Sequence, residues 1–151
     1  MPDSPAELFE RHHLVVYRYL LRMTGRGDVA EDLTQEVFVR VVRGADGYDE
    51  RGQERAWLFS IARNLLIDFQ RKRRREPVDA VEDMVNGDSD PDVSLDIKRA
   101  IATLPETDRE AFLLRVVVGL GHDEIAALVG ATPASVRCRI YRARVALKAM
   151  L

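Results

Sequence analysis

A chain of 151 residues, 46% hydrophobic and 32% charged with a formal net charge of −2, has room for one domain or two small ones. Its one cysteine, Cys138, excludes an intramolecular disulfide, and its apolar runs are broken by charge well short of a bilayer's thickness. The N-terminus lacks the basic flank and apolar run of a signal peptide, so a cytoplasmic protein with no membrane insertion is expected.

Divided along the chain, the charge separates into blocks: −4 over residues 1–50, +6 over 51–75, −8 over 76–96 and +4 over 97–151. Two basic surfaces joined by an acidic strap are the footprint of a nucleic-acid binder that a global balance hides.

The first predicted helix opens at Ser4-Pro5-Ala6-Glu7, a capping box with proline at the first helical position, and runs to about Thr24 before Gly25. A second opens at Asp28, with Glu31 three residues on, and closes at Gly44. Ala30, Leu33, Val37 and Val41 form its core stripe. Its opposite face carries Asp32, Gln35, Glu36, Val39, Val42 and Arg43. Two valines among charges either pack beneath a neighbouring helix or form the apolar centre of a partner surface.

The third helix is expected from Gln53 to Arg74 with Trp57, Leu58, Ile61, Leu65 and Phe69 inward, ending in the basic run Gln70–Arg75. Arg63, Asn64 and Arg71 lie outward. Amide and guanidinium groups on one face suit base edges and phosphates.

From Glu76 to about Ser94 the chain is acidic, with two prolines, a glycine and no positive charge, and reads as a flexible linker. Beyond it a short helix over Leu95–Thr103 ends at Leu104-Pro105. Thr107 with Glu110 is expected to cap the next helix, whose Phe112, Leu113, Val116 and Val117 support the last pair of helices.

That last pair, in Asp123–Leu147, has the spacing of a helix-turn-helix. Ala126 permits a close helix crossing, Gly130 supplies the turn, Val136 plugs the second helix into the first, and Thr132-Pro133 caps and opens that second helix. Val136, Ile140, Ala143 and Leu147 share one stripe, leaving Ala134, Ser135, Arg137, Cys138, Tyr141 and Arg142 facing away. Residues 133–148 carry five basic groups and no acidic one, which suits a phosphate backbone. Cys138, central on that face, is expected to be a small apolar contact to a base or sugar, with redox sensing the minor alternative. The fold class is therefore all-α: two small helical domains, residues 1–75 and 95–151, joined by an acidic flexible linker over 76–94, the second domain a helix-turn-helix.

These segments together resemble the extracytoplasmic-function sigma factors, two-domain bacterial initiation factors. Asp28–Val41 resembles the family's polymerase-binding helix, Glu54–Arg75 its minus-10 helix, and Leu104–Leu147 its minus-35-reading region, in the family's order. The resemblance implies that Asp32, Gln35, Glu36, Val39, Val42 and Arg43 dock on core RNA polymerase. It implies that Gln53, Arg55, Arg63, Asn64 and Arg71 hold the minus-10 element, trapping a base flipped from the non-template strand and stabilising the melted duplex. Ala134, Ser135, Arg137, Cys138, Tyr141 and Arg142 would then read double-stranded minus-35 DNA. The linker would thread the polymerase's basic channels, and an anti-sigma protein would be a natural partner of exposed apolar surfaces such as Val39 and Val42.

Gly121 departs from the serine cap common among relatives. Glycine is an acceptable N-cap, so lower local stability and no loss of function are expected there. No domain is expected beyond Leu151, which sets aside relatives with ligand-sensing extensions.

Two rival readings come from other classes. In a stand-alone helix-turn-helix repressor, residues 1–75 would dimerise or bind a ligand, but a dimerising helix finds no room after Lys148. In a nucleic-acid enzyme, His12, His13 and His122 would need partners they lack in sequence, and no HExxH, P-loop, dinucleotide loop or cysteine cluster occurs. Asp32 with Glu36 alone is a poor metal pair. No catalytic residue, metal or cofactor is therefore expected.

Overall fold

The structure, a computed structural model, describes residues 4–44, 53–74 and 90–151. Among these residues it consists of seven helices and no strand: α1 (Pro5–Thr24), α2 (Gly27–Arg43), α3 (Glu54–Arg73), α4 (Leu95–Thr103), α5 (Glu106–Val116), α6 (His122–Val129) and α7 (Pro133–Met150). Most of the acidic linker, residues 76–89, lies outside the described residues, as does Arg75 before it.

The signals that start and stop α1 act as read. Ser4 accepts the Glu7 N–H at 3.2 Å, Pro5 occupies the first turn, and Gly25 closes the helix at φ 71°, where a side chain would meet its own backbone. Asp28 does not cap α2. The helix begins one residue earlier, at Gly27, and the Asp28 carboxylate instead pairs with Arg26 at 3.0 Å, the hydrogen bond that holds its pKa below the usual value.

Thr107 does not cap α5 either. That helix starts at Glu106 after Pro105 with no side-chain cap, and Glu110 turns inward to a different task. The inward face of α3 is also rotated from its expected register. Leu58 and Leu65 are buried as read, but Phe59, Ala62 and Leu66 complete the core, while Trp57, Ile61 and Phe69 are only half-buried.

α1 lies at the centre. It packs on α2 and α3 on one side and on α4 and α5 on the other, while α3 also meets α6. The buried apolar residues form one continuous cluster across both halves, from Leu8 on α1 to Leu147 on α7. Tyr19 and Phe59 meet edge to face at 5.3 Å within it. The end of the linker is tied back onto α1: Asp92 accepts from Arg18 at 3.1 Å, and Asp90 approaches the buried Arg22 at 3.7 Å.

In the second half, Arg109 stabilises the end of α4 by donating to the carbonyls of Ile101, Ala102 and Leu104 at 2.8–3.1 Å. The last carbonyls of a helix have no N–H four residues on within it; that of Ile101 takes the Leu104 N–H at 3.2 Å, and the guanidinium supplies further donors to it and its neighbours. Burial holds the Arg109 pKa below its ordinary value.

Candidate polymerase and promoter interfaces

The helix-turn-helix is built as its sequence dictates. Gly121 is the N-cap of α6, its N–H donating to the Glu124 carboxylate at 2.9 Å, one half of a capping box; having no side chain, it does not accept the Glu124 N–H as a serine would. Gly130 ends α6 at φ 71°. Thr132 accepts the Ser135 N–H at 3.1 Å and opens α7 with Pro133. Ala126, Val136, Ile140, Ala143 and Leu147 are buried, and that stripe fixes which side of α7 faces outward.

On the outward side Ala134, Arg137, Cys138 and Tyr141 are exposed, Tyr141 to 70%, and Ser135 is half-exposed. Arg142 lies on the same side but is committed: its guanidinium grips the buried Asp108 of α5 through two bonds, 3.0 and 3.2 Å. Asp108 raises the Arg142 pKa above its ordinary value. Arg142 therefore braces α7 on α5 as well as lying on the basic face.

The outer face of α2 stays open. Val39 is 38% and Val42 64% exposed, and Asp32, Gln35 and Arg43 are exposed beside them. Among the described residues, no helix covers the two valines. Glu36 is half-buried and meets Arg40 one turn on at 3.5 Å, a surface pair worth at most about 1 kcal/mol.

The groups assigned to the minus-10 element fare differently from one another. Gln53, Asn64 and Arg71 are exposed. Arg55 Nη1 donates to the Val118 carbonyl at 2.7 Å. Arg63 Nε donates to Glu110 Oε2 at 3.1 Å and its Nη1 to the Leu128 carbonyl at 3.4 Å, leaving its side chain 22% exposed. Glu110 Oε2 also accepts the Tyr19 hydroxyl at 2.7 Å. Burial, then the Glu110 charge, push the Tyr19 pKa well above its ordinary value, so the hydroxyl stays a donor.

Gln53, Trp57, Ser60, Arg63 and Asn64 of the α3 side line a cleft of about 540 Å³, faced across it by Asp123, Glu124, Ala127 and Leu128 of α6. Glu54, at the start of α3, is held by Arg11 at 2.9 Å to both carboxylate oxygens and lies 3.0 Å from Nε2 of the buried His12. This clamp ties the first turn of α3 to α1.

Sequence reasoning passed over the Tyr19–Glu110–Arg63 cluster, the Glu54 clamp and the acidic wall of the cleft. Each joins elements far apart in the chain, and no local spacing announces such a meeting. Among the described residues, no group of His, Cys, Asp or Glu side chains is arranged to hold a metal ion, and no helix is long and apolar enough to cross a membrane.

An all-helical chain whose second half is a helix-turn-helix with a basic outer face belongs to the class of nucleic-acid-binding factors. Residues 8–76 match the family model Sigma-70 region 2, and residues 94–147 match Sigma-70, region 4. The chain is 33% identical over 153 residues to the ECF RNA polymerase sigma factor SigM of Bacillus subtilis, covering 95% of this chain and 93% of that protein. It is 33% identical over 156 residues to the RNA polymerase sigma factor CarQ of Myxococcus xanthus, covering 99% and 90%. It is 35% identical over 153 residues to SigE of Mycolicibacterium smegmatis, spanning 94% of this chain and 59% of that relative's length.

Among solved structures it is similar to the sigma factor RpoE of Bartonella quintana in complex with the anti-sigma factor NepR, with a TM-score of 0.80, 26% identity and coverage of 96% and 94% of the two chains. It is also similar to CnrH in complex with the cytosolic domain of CnrY, with a TM-score of 0.72, 25% identity and coverage of 97% and 86%. The chain belongs to the extracytoplasmic-function sigma factors, bacterial factors of transcription initiation.

Proposed function

We propose that this chain binds core RNA polymerase through the outer face of α2 and directs it to promoters by two separate contacts. One is the minus-10 element on α3, held by Gln53, Arg55, Arg63, Asn64 and Arg71. The other is the minus-35 element on α7, read by Ala134, Ser135, Arg137, Cys138, Tyr141 and Arg142. On this reading residues 1–75 and 95–151 are the two functional domains and 76–94 the linker between them.

The observation that carries the reading is the pairing of two matched regions, in order, with an apolar-centred face on α2 and a basic, outward face on α7. Core docking rests on Val39 and Val42 at the centre and Asp32, Gln35, Glu36 and Arg43 around them, an apolar patch with a polar rim. Insertion of α7 into the major groove supplies phosphate contacts from arginine and base contacts from the small residues between them. At minus-10 the amide of Asn64 and the aromatic wall of Trp57 offer a flipped base hydrogen bonds and a stacking surface. The factor itself makes and breaks no covalent bond, and it works in the cytoplasm, where RNA polymerase is.

An anti-sigma protein is the further partner the reading supports, since the sigma factor of Bartonella quintana and CnrH are each seen with a bound partner. Run-off transcription with purified core polymerase on a library of random promoters tests the function and returns both elements. Transcripts that start at a shared pair of spaced motifs are expected. A repressor would yield no added transcript, and absence of any initiation above core polymerase alone overturns the reading.

A further inference from the structure

We infer that Asp108 is a positioning residue for the minus-35 contact: it holds the Arg142 guanidinium by one edge and leaves the other to a backbone phosphate at the rim of the major groove. Arg142 then fixes the register of α7 on the duplex, and the residues before it read the bases. The inference rests on the assignment of α7 to the minus-35 element and deepens it.

Arg142 Nε donates to Asp108 Oδ2 at 3.2 Å and its Nη2 to Oδ1 at 3.0 Å. These are the parallel bonds of a guanidinium and a carboxylate meeting edge to edge. Nη1, with N–H groups of its own, takes no part in either bond. The two partners differ in exposure: the Asp108 side chain is 7% exposed and the Arg142 side chain 59%. The carboxylate is therefore a fixed anchor from which the guanidinium reaches outward. Asp108 stands in the first turn of α5, where the helix end favours a negative charge. Of the five basic groups in residues 133–148, Arg142 alone is paired with an acid among the described residues.

The position of Arg142 along α7 sets what it meets. α7 begins at Pro133, and at about 1.5 Å per residue Arg142 lies about 13 Å further on, against a major groove about 12 Å wide. A recognition helix reads bases with its N-terminal turns. Ala134, Ser135, Arg137 and Cys138 fall in those turns, and Arg142 comes out at the sugar-phosphate wall. A guanidinium can serve both partners with one planar group, whereas a lysine has a single nitrogen, which Asp108 would hold. An arginine fixed in advance loses less side-chain freedom on binding, and it selects one phosphate where a swinging arginine would serve several.

The test uses the holoenzyme and a promoter duplex recovered by run-off, with single neutral methylphosphonates placed in turn along the flanks of the minus-35 element. On the wild type, one position should weaken binding by about tenfold, the size of a charge-assisted hydrogen bond. Asp108→Asn removes a negative charge beside the DNA, so electrostatics alone would tighten binding. Positioning gives the opposite sign. Affinity for the unmodified duplex should fall by most of the same factor, and that one methylphosphonate should cease to matter while the others keep their effects. Unchanged or tighter binding overturns the proposal. So does an equal loss of response at every phosphate, which is what a loosened α7 would give.

Arg142→Lys guards against an effect on folding, since its ammonium leaves Asp108 a partner and keeps α5 and α7 tied. It should keep the helical circular dichroism and lose the response at the same phosphate. A lysine variant that binds and responds as the wild type does overturns the proposal. Arg142→Ala should weaken binding evenly across duplexes carrying single base-pair changes in the minus-35 element. A loss confined to one base pair would put Arg142 on a base and overturn the phosphate assignment. If the wild-type holoenzyme starts no transcript, the functional reading itself fails and this inference falls with it.

Discussion

At the residue scale, one carboxylate shows how a local reading and a tertiary one diverge. Glu110 stands three residues after Thr107, the spacing of a capping box, yet it accepts from Tyr19 and Arg63. A carboxylate with a choice between a frayed helix start and two buried donors goes where leaving the donors unpaired would cost more. Tyr19 gives a pH test of this. Its pKa is raised in the folded chain by burial and by Glu110, so the folded form holds the phenolic proton more tightly than the unfolded form does. Stability from this group is intact below about pH 10 and falls as pH rises above it, by about 1.4 kcal/mol per unit until the folded pKa is reached. Denaturant unfolding at pH 9 and pH 11 should show that loss in the wild type and a smaller one in Tyr19→Phe. Equal losses would remove Tyr19 from the account.

Asn64 belongs at the same scale. It is exposed beside the cleft, and the base it is assigned to is available only after unpairing. Asn64→Ala should slow promoter opening more than closed-complex formation, read by permanganate footprinting, and a pre-melted template should restore part of the rate. No gain from the pre-melted template would remove Asn64 from the opened strand.

At the scale of elements, the helix-turn-helix was the most legible part of the chain because short-range rules decide it. A cap, a proline and a glycine at positive φ act within a few residues of each other, and the apolar stripe repeats at every turn of the helix they open. Thr132→Ala should therefore destabilise the second half by about 1 kcal/mol through the lost bond to the Ser135 N–H, seen as a lower denaturant midpoint. An unchanged midpoint would mean that Pro133 alone fixes the start of α7. The register of α3 was less legible. A long apolar helix packed against α1, α2 and α6 can turn more than one face inward, and its neighbours chose Phe59, Ala62 and Leu66 over Trp57, Ile61 and Phe69. On α2 the sequence left two uses for Val39 and Val42 open, and the structure leaves both exposed. Gln35→Ala with Val39→Asp should abolish capture by purified core polymerase, since a charge at the centre of an apolar contact must be desolvated without a partner. Retained capture would move the docking surface off α2.

At the scale of the whole molecule, the continuous buried cluster makes the two halves one cooperative unit. Calorimetry of the full chain should give a single transition whose calorimetric and van't Hoff enthalpies agree. Two resolved transitions would mean that the halves unfold independently and that the contacts between α1 and α5 are marginal.

The sequence by itself determined the helices, the turn of the helix-turn-helix, the outward face of α7 and the separation of charge into blocks. Those features come from periodicity, capping and backbone preference, all of which act within a few residues. Only the tertiary structure decided which basic groups are spoken for. Arg55, Arg63 and Arg142 look alike in sequence to Arg71 and Arg137, yet the first three are held by Val118, Glu110 and Asp108 from other elements. Whether an arginine is free for a phosphate depends on which carbonyl or carboxylate the fold carries to within about 3 Å of it, and that distance is set by packing across 34 to 63 residues of chain.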